Sequence, residues 1–253
     1  MNEDLRNVVL GVLATGVSGA IGWLARTYLW RRRLRRKQAF FGLPSHSECL
    51  LVVNREAGSE GAVHRYDVSA LLELAALVKD CGATARIVQH DLARMGFGDR
   101  TEFCVGGPGS NRRMAAHLAS LLPGLTMRTA AEPVDRRGEI HVGTDLYRME
   151  RGVTEYVLLA RVRAGEGARP VFLFCGQRAI DNQAATRYLA RHHERLTRRH
   201  HDGSFVLLLK VVNSQAYGPD VVELVADVTR QALAPPPPGT AVSSATSPAP
   251  AAT

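Results

Sequence analysis

The chain begins with a long stretch of apolar residues that contains no charged side chain. From Val8 to Leu24 this stretch would span about 25 Å as a helix, at about 1.5 Å per residue. Extension to Trp30 covers the roughly 30 Å of a hydrocarbon core, provided that Arg26 reaches back to the headgroups. Aromatic side chains near its end suit the interfacial belt. The pattern predicts a transmembrane helix over residues 8–30.

Beyond this stretch, short apolar runs alternate with segments of helical periodicity. The apolar runs predict buried strands at residues 49–53, 85–88, 103–105, 171–174 and 205–212. The periodic segments predict helices at 68–79, 111–122, 179–200 and 221–233, with Asp67 able to cap the first of them. Residues 140–149 and 156–162 are predicted as the two strands of a hairpin around Gly152.

Strands that alternate with helices of this length predict an α/β fold. The sheet is expected to be parallel or mostly parallel, because each helix carries the chain back to the start of the next strand. Right-handed crossovers would cover both faces with helices and give a Rossmann-like three-layer sandwich. The hairpin predicts a mixed edge to this sheet.

The net charge of +8 is concentrated beside the apolar stretch. Six basic residues lie from Arg31 to Lys37, whereas beyond Lys37 the chain has 24 Lys and Arg against 22 Asp and Glu. A domain that binds nucleic acid needs basic surface to displace counterions, so no nucleic acid is expected as a partner. Positive charge after the membrane segment predicts a single-pass protein of the cell membrane with its C-terminal domain in the cytoplasm. Membrane lipids are the expected partners of the segment from Val8 to Trp30 and of the cluster from Arg31 to Lys37.

The chain is therefore predicted to contain five segments. These are a short extracytoplasmic N-terminus at 1–7, a transmembrane helix at 8–30, a basic juxtamembrane linker at 31–48, a cytoplasmic α/β domain at 49–233 and a disordered tail at 234–253. The tail holds four consecutive prolines and then little but Ala, Ser, Thr, Pro and Gly, so it has no apolar surface to bury.

Small residues recur at every fourth position of the predicted transmembrane helix. One row is Gly11, Thr15 and Gly19, and a second row is Ala14, Ser18 and Gly22. Small residues at this spacing let two helices approach closely, which predicts a homo-oligomer. The alternative is a helix that is simply rich in small residues.

A repeated spacing marks the ends of two predicted strands. Cys104 is followed seven residues later by Asn111, and Cys175 is followed seven residues later by Asn182. In both places a strand leads through a glycine-containing turn into an alanine-rich helix. The repetition indicates that the two turns play similar parts.

Four strand ends carry an asparagine, because the triplet Val-Val-Asn also ends two further strands. Such loops gather at the carboxyl edge of an open α/β sheet, where ligands bind. Glycines there let a ligand approach the backbone, and a helix N-terminus offers unpaired N–H groups to an anion. We predict a crevice lined by Asn54, Gly106, Gly107, Ser110, Asn111, Gly176, Gln177, Asn182 and Asn213. Its expected ligand is a small anionic, nucleotide-like metabolite.

Helix capping is the alternative explanation of the same residues. Asn and Ser are common at helix N-caps, and Gly-Gly-Pro-Gly is typical of a tight turn. Residues 106–110 do not match G-x-G-x-x-G and the chain has no P-loop motif, so no cofactor is expected. The four cysteines lack the spacing of metal ligands, and no metal is expected either.

Three stretches carry a resemblance to known sequences, namely FFGLPSHSECLLVVNR, TEFCVGGPGSNRRMAAHL and VVNSQAYGPDVVELV. They resemble stretches of an actinomycete family of single-pass membrane or "secreted" proteins of unknown function, and the resemblance covers most of the soluble part. It implies no activity, and the charge pattern favours a cytoplasmic over a secreted domain. The GGPGSN segment is also similar to small Rossmann-like domains that sense nucleotides.

The predicted function is that of a membrane-anchored sensor or regulator whose cytoplasmic domain binds the nucleotide-like ligand. One alternative is an enzyme that processes nucleosides or nucleotides at the same edge. The other is a non-catalytic membrane adaptor, which would use its surface to recruit a partner.

Overall fold

The described part of the chain covers almost all of the predicted domain. In this computed structural model the described residues are 3–54, 62–93, 96–128, 136, 138–163, 165, 167–200 and 203–235. For residues 4–6, 8–10 and 14 the description is limited to the backbone. The predicted tail lies outside the described residues beyond residue 235.

A seven-stranded sheet forms the centre of the fold. Its strands are Glu48–Val53 (β1), Thr84–Gln89 (β2), Glu102–Val105 (β3), Thr154–Val162 (β7), Val171–Gly176 (β8), Phe205–Val212 (β9) and Val222–Asp227 (β10). They lie side by side in the order β10-β9-β7-β8-β3-β1-β2. The block β2-β1-β3-β8 is parallel, whereas β7 and β10 run antiparallel to their neighbours. An α/β fold with a large sheet is thus confirmed, and the sheet is mixed.

Helices and a second, smaller sheet cover the two faces. The described helices are Glu3–Phe41 (α1), Arg65–Asp80 (α2), Arg112–Leu121 (α3), Ala179–Arg199 (α4), Ser214–Tyr217 (α5) and Thr229–Leu233 (α6). The small sheet consists of Leu125–Met127 (β4), Ile140–Val142 (β5) and Asp145–Tyr147 (β6). One face packs against α2, α4 and the end of α1, and the other packs against α3, α6 and the small sheet.

The central strands are apolar throughout because both of their faces are covered. Along β1, Leu51 and Val53 belong to the core beneath α2 and α4, whereas Leu50 and Val52 belong to the core beneath α3. Successive side chains of a strand lie on opposite faces, so a strand in the middle layer buries all of them. This is why continuous apolar runs correctly predicted these strands.

The hairpin predicted around Gly152 is wrong. Residues 140–149 contain their own turn at Gly143, whose φ of +58° suits glycine, and this turn joins β5 to β6 in the small sheet. The strand β7 pairs instead with β8 and β9 in the main sheet. Two adjacent segments with strand character therefore belong to two different sheets.

The helix predicted at 221–233 is wrong over its first half, which forms the edge strand β10. Val222 and Leu224 pack against the core, whereas Glu223 between them is exposed. A period of two residues is typical of a half-buried strand rather than of a helix. Only the short helix α6 remains of the predicted element.

α1 is one uninterrupted helix of 39 residues that ends inside the domain. The segment predicted as a linker is helical as far as Phe41, because Phe40 and Phe41 are buried in the core under α4. The ring of Phe41 lies 5.4 Å from that of Phe172, and the guanidinium of Arg161 lies 4.8 Å from the ring centre of Phe40. Tertiary packing thus extends the helix beyond the basic cluster.

Among the described residues, no helix is both long and apolar enough to cross a membrane. Four side chains of the predicted membrane segment, those of Val8, Val9, Leu10 and Ala14, lie outside the described residues. The described apolar side chains of this segment are exposed, as Trp23 illustrates with 67% of its surface accessible.

Candidate functional site

The carboxyl ends of β1, β2, β3, β8 and β9 meet at one edge of the main sheet. After β1 the chain enters α2 on one face, whereas after β3 it enters α3 on the other face. Adjacent strands whose connections leave to opposite faces form a crevice, and open α/β sheets bind ligands there. The predicted site residues follow β1, β3, β8 and β9, so the structure places all of them along this edge.

Four predicted residues meet between β1 and β3. The Nδ2 group of Asn54 donates to Ser110 Oγ at 3.2 Å. Gly106 has a φ of +118°, and a β-carbon there would lie 3.1 Å from the side chain of Asn54. Gly107 lies against the carbonyl oxygen of Gly176 in the same way. The Oδ1 atom of Asn54 is buried and has no hydrogen-bond partner among the described residues.

Asp67 is a site residue that the sequence pattern did not reveal. The cap predicted there is His64 instead, whose Nδ1 accepts the Tyr66 N–H. Asp67 lies in the first turn of α2, fully buried, and its Oδ1 accepts from Asn182 Nδ2 at 2.9 Å. Its Oδ2 has no hydrogen-bond partner within the described ranges. Burial raises the pKa of Asp67, although the hydrogen bond from Asn182 opposes the rise.

The repeated spacing of Asn111 and Asn182 has a structural cause. Each side chain bonds to the end of the strand before it: Asn111 Nδ2 donates to the Val105 carbonyl at 3.0 Å, and the Gly176 N–H donates to Asn182 Oδ1 at 2.8 Å. Asn111 also caps α3, because its Oδ1 accepts the Met114 N–H at 2.9 Å. Asn182 lies inside α4 and also donates to Asp67. It therefore links the end of β8 to the candidate site.

Gln177 and Asn213 also have structural partners. The Oε1 of Gln177 accepts the Tyr156 N–H at 2.7 Å, and its Nε2 donates to the Gly138 carbonyl at 2.6 Å. Asn213 has a φ of +48° and caps the short helix α5. Since β9 lies four places from β1 in the sheet, Asn213 is about 20 Å from Asn54. The predicted residues thus form a row rather than one pocket.

A second polar cluster, missed from the sequence, lies at the same edge between β7 and α4. Glu155 and Asp181 are fully buried there; Glu155 pairs with Arg178 and accepts the Gly152 N–H, and Asp181 accepts the Arg178 N–H at 2.7 Å. Burial alone would raise the pKa of Glu155, but the nearby Ser214 hydroxyl and the hydrogen bonds from Arg178 and the Gly152 N–H lower it overall. Burial, reinforced by the charge of Glu155, raises the pKa of Asp181 well above its usual value.

The sequence contains a signal that would have found two of these carboxylates. Asp67 occupies the apolar stripe of α2, three and seven residues before the buried Ala70 and Leu74. Asp181 occupies the apolar stripe of α4, three residues before the buried Ala184. Residues at this spacing share one helix face, so a carboxylate in such a stripe is carried into the core. Both acids lie in the first turn of their helices, a position that by itself indicates only a capping role.

One further group has the composition of a metal site. The ligand atoms of Glu102, Cys104 and His117 lie within 4.8 Å of one another, on β3 and α3. However, Oε1 of Glu102 is bonded to His117 Nε2 at 2.8 Å and Oε2 accepts from Arg113 Nη2 at 2.6 Å. The guanidinium of Arg113 would repel a cation there, and burial raises the pKa of the Cys104 thiol well above its usual value. The group fits an ion-pair cluster that joins α3 to β3.

Compared with known proteins, the chain matches no family model, no curated protein sequence and no solved structure. The resemblance to actinomycete membrane proteins therefore stays a prediction. The function has to be argued from the geometry of the carboxyl edge and of α1.

Proposed function

We propose that this chain is a membrane-anchored sensor or regulator whose α/β domain binds a small nucleotide-like ligand between β1 and β3. One observation carries the proposal. Asn54 Oδ1 and Asp67 Oδ2 are both buried, and neither has a donor in hydrogen-bonding geometry among the described residues, although the Asn54 side chain lies close enough to Asp67 to lower its pKa. Two such acceptors side by side at a switch point call for a ligand with hydrogen-bond donors.

The free energy of an unpartnered buried acceptor supports this interpretation. Leaving a buried polar atom without a partner costs about 1–3 kcal/mol, and a ligand that supplies the donor recovers that free energy on binding. Sugar hydroxyls and the exocyclic amines of bases are donors of this kind. Structural capping alone does not account for Asp67 Oδ2, since His64 caps α2.

Next to the two acceptors, the N-terminus of α3 could bind an anionic group of the same ligand. The N-terminus of α3 follows Ser110 directly and offers N–H groups to a phosphate. Arg112, in the first turn of that helix, is exposed and has no carboxylate partner in the described part of the chain. Donors at one end and a phosphate at the other describe a nucleotide.

The membrane anchor in this proposal is supported by the surface of α1. Its exposed large apolar side chains are Val12, Leu13, Val17, Ile21, Trp23, Leu24, Tyr28, Leu29 and Trp30. A helix that is apolar on all sides is typical of a lipid or protein environment rather than of water. The basic cluster from Arg31 to Lys37 supports a cytoplasmic position for the domain in this proposal. Recovery of the full-length protein in the aqueous fraction without detergent would contradict the anchor.

The ligand site can be tested on the full-length protein in neutral detergent micelles. The four ribonucleosides and their mono- and diphosphates are the probes, and thermal unfolding is the measurement. A ligand at a hundred times its Kd stabilises by about 2.7 kcal/mol, which corresponds to an increase in Tm of about 5–10 °C for a domain of this size. We expect at least one probe to produce such a shift.

The Asp67→Asn variant assigns the shift to this site. The amide keeps an oxygen for Asn182 but turns the unpartnered acceptor into a donor, so the shift should be lost. Asp80→Asn is the matched control, because Asp80 lies at the exposed far end of the same helix and pairs with Lys37. A panel without any shift, or a shift that persists in Asp67→Asn, would contradict the ligand site.

A nucleoside-processing enzyme is the second candidate, and the raised pKa of Asp67 favours it. Burial raises the pKa of this carboxyl, which makes its ionised form a stronger general base while Oδ2 remains the acceptor that the ligand site requires. Turnover of a probe that is lost in Asp67→Asn and retained in Asp80→Asn would identify an enzyme. Binding without turnover would identify a sensor.

A further inference from the structure

We propose that the groove between α1 and α4 is a binding site for the headgroup of an anionic phospholipid that carries two phosphates. The inference rests on the membrane anchoring proposed above and concerns a different part of the molecule from the ligand site. The groove contains a cavity of about 760 Å³. It is lined by Tyr28, Arg31, Arg32, Arg35, Arg36, Ala39, Phe40, Thr197 and Arg198.

The charge of this cavity is uncompensated. Five of its lining residues are arginines and none is acidic. Within the described part of the chain, none of these five arginines has a carboxylate partner. By contrast, Arg187 and Arg191 on α4 bond to Asp220 at 2.8 and 3.0 Å. The cavity thus concentrates positive charge that the protein itself does not neutralise.

The spacing of these arginines makes the need for an anion stronger. Arg31 and Arg35 are four residues apart on α1, as are Arg32 and Arg36, so each pair lies on one face of the helix. Like charges at this spacing destabilise a helix. Each guanidinium group binds phosphate oxygens through two parallel hydrogen bonds. With two guanidinium groups on each phosphate, two phosphates would engage four of the five arginines.

The position of the cavity favours a lipid over a soluble phosphate. Tyr28, which lines the cavity, belongs to the exposed apolar stretch of α1. Arg31, which also lines it, directly follows Trp30 at the end of that stretch. Acyl chains can therefore lie along this stretch while the headgroup enters the cavity. Basic pockets beside membrane helices are known to bind headgroups with two phosphates. The exposed apolar surface of Ala39 suits the glycerol part.

The contribution of Arg198 distinguishes a specific binding site from general attraction of lipids to a basic surface. A basic segment beside a membrane attracts anionic lipids through α1 alone, whereas Arg198 belongs to α4 and reaches the cavity only because the domain is folded. An adjacent cavity of about 610 Å³ shares Arg36, Thr197 and Arg198 with this one, but Asp80 and Glu194 also line it, so it is less suited to an anion. The inference therefore predicts a specific contribution from Arg198.

The test uses the full-length protein in dodecyl maltoside micelles and its own fluorescence. The chain has two tryptophans, Trp23 and Trp30, both on α1 and eight residues and one residue before Arg31 of the cavity. Cardiolipin with brominated acyl chains, which quench tryptophan on contact, is titrated against brominated phosphatidylglycerol at equal phosphate. We expect half-quenching at a lower phosphate concentration with cardiolipin. Inorganic pyrophosphate at the same phosphate concentration should not compete.

Arg198→Gln should raise the half-quenching concentration of cardiolipin about tenfold, because one charged hydrogen-bonding group is lost. Arg195→Gln is the matched control on α4, since Arg195 is exposed and does not line the cavity; it should leave the value unchanged. Arg31→Gln is a second variant from the other wall and should act like Arg198→Gln. Equal Tm values in lipid-free micelles show that the variants are folded.

Three results would overturn the inference. They are equal affinity for the two lipids, equal effects of Arg198→Gln and Arg195→Gln, and competition by pyrophosphate, which would indicate a soluble anion. In each of these cases the protein would still require detergent, so the anchor would stand. A failed anchor would appear differently, as protein that stays in solution without detergent.

Discussion

Glu155 and Asp181 lie together with no exposed surface, and their pKa values are shifted in opposite directions. The pKa of Asp181 is raised well above its usual value by burial and by Glu155, whereas that of Glu155 is lowered by its partners Ser214 and Arg178. Two buried acids of this kind are compatible with folding only if one keeps its proton. Asp181 is the one that does so.

Replacement of Asp181 by Asn should therefore stabilise the protein increasingly as the pH rises. The stability that comes from protonated Asp181 is fully present below its unfolded pKa of about 3.9 and is lost as the pH rises through the raised folded pKa. The amide cannot ionise, so the variant escapes this loss. Urea unfolding from about pH 4 to pH 8 should show an advantage that grows by up to about 1.4 kcal/mol per pH unit. Parallel pH curves for the two proteins would contradict the assignment.

Asp181→Ala serves as the comparison for this pH effect. It also removes the titrating group, but it deletes the acceptor for the Arg178 N–H at the start of α4. We expect it to be less stable than Asp181→Asn by about 1 kcal/mol at every pH, which is the usual contribution of a helix cap. Its pH dependence should match that of Asp181→Asn.

Replacement of Glu102 by Gln should destabilise the protein by about 3–5 kcal/mol, because it takes a buried carboxylate away from Arg113. Burial would raise the pKa of Glu102, but hydrogen bonds from His117 and Arg113 lower it overall. The stability it contributes is therefore present above its unfolded pKa of about 4.3 and is lost as the pH falls through the folded pKa. Urea midpoints at neutral and acidic pH measure both effects.

Glu48→Gln is the control for this ion pair. Glu48 pairs with Arg100 at the start of β1, but 38% of its side chain is exposed. Exposed pairs contribute about 0–1 kcal/mol, so the control should unfold close to the wild-type midpoint. If both variants lost the same small amount, the cluster around Glu102 would not act as a buried ion pair.

Replacement of Phe40 by Ala should destabilise the domain by about 3–5 kcal/mol, the usual cost of removing a buried aromatic side chain. Phe40 is 1% exposed, stacks 6.2 Å from Phe205 and carries the guanidinium of Arg161 on its ring. Leu29→Ala on the same helix removes a side chain that is 52% exposed, so it should shift the urea midpoint in micelles only slightly. Similar midpoints for the two variants would show that the end of α1 is not part of the domain core.

The local sequence pattern predicts those strands and helices whose buried positions recur at a simple, regular spacing. β1 and β8 were found because both of their faces are covered and their apolar runs are continuous. The sequence pattern predicts a helix in place of β10, since the alternation of β10 is short and runs directly into α6. The pairing of β7 with β9 brings together Thr154 and Val212, far apart in sequence, and no local pattern reports such a contact.

The candidate site was predicted in part, for the same physical reason. Asn54, Gly106, Gly107 and Ser110 lie at strand ends, and topology alone brings strand ends to one edge. The bond between Asn182 and Asp67 joins residues 115 positions apart and depends on how α2 packs against α4. The contribution of Arg198 to the basic groove has the same origin.

Because α1 continues into the core without a break, it is a rigid helical connection rather than a flexible linker. From Trp30 to Phe40 it advances about 15 Å, with no glycine or proline at which it could bend. In the membrane anchoring proposed above, with Trp30 at the bilayer surface, the tilt of this helix would set both the distance of the domain from the membrane and its angle to it. Rotation of α1 about its axis would rotate the whole sheet with it. The orientation of the carboxyl edge of the sheet would then depend directly on the orientation of α1 in the membrane.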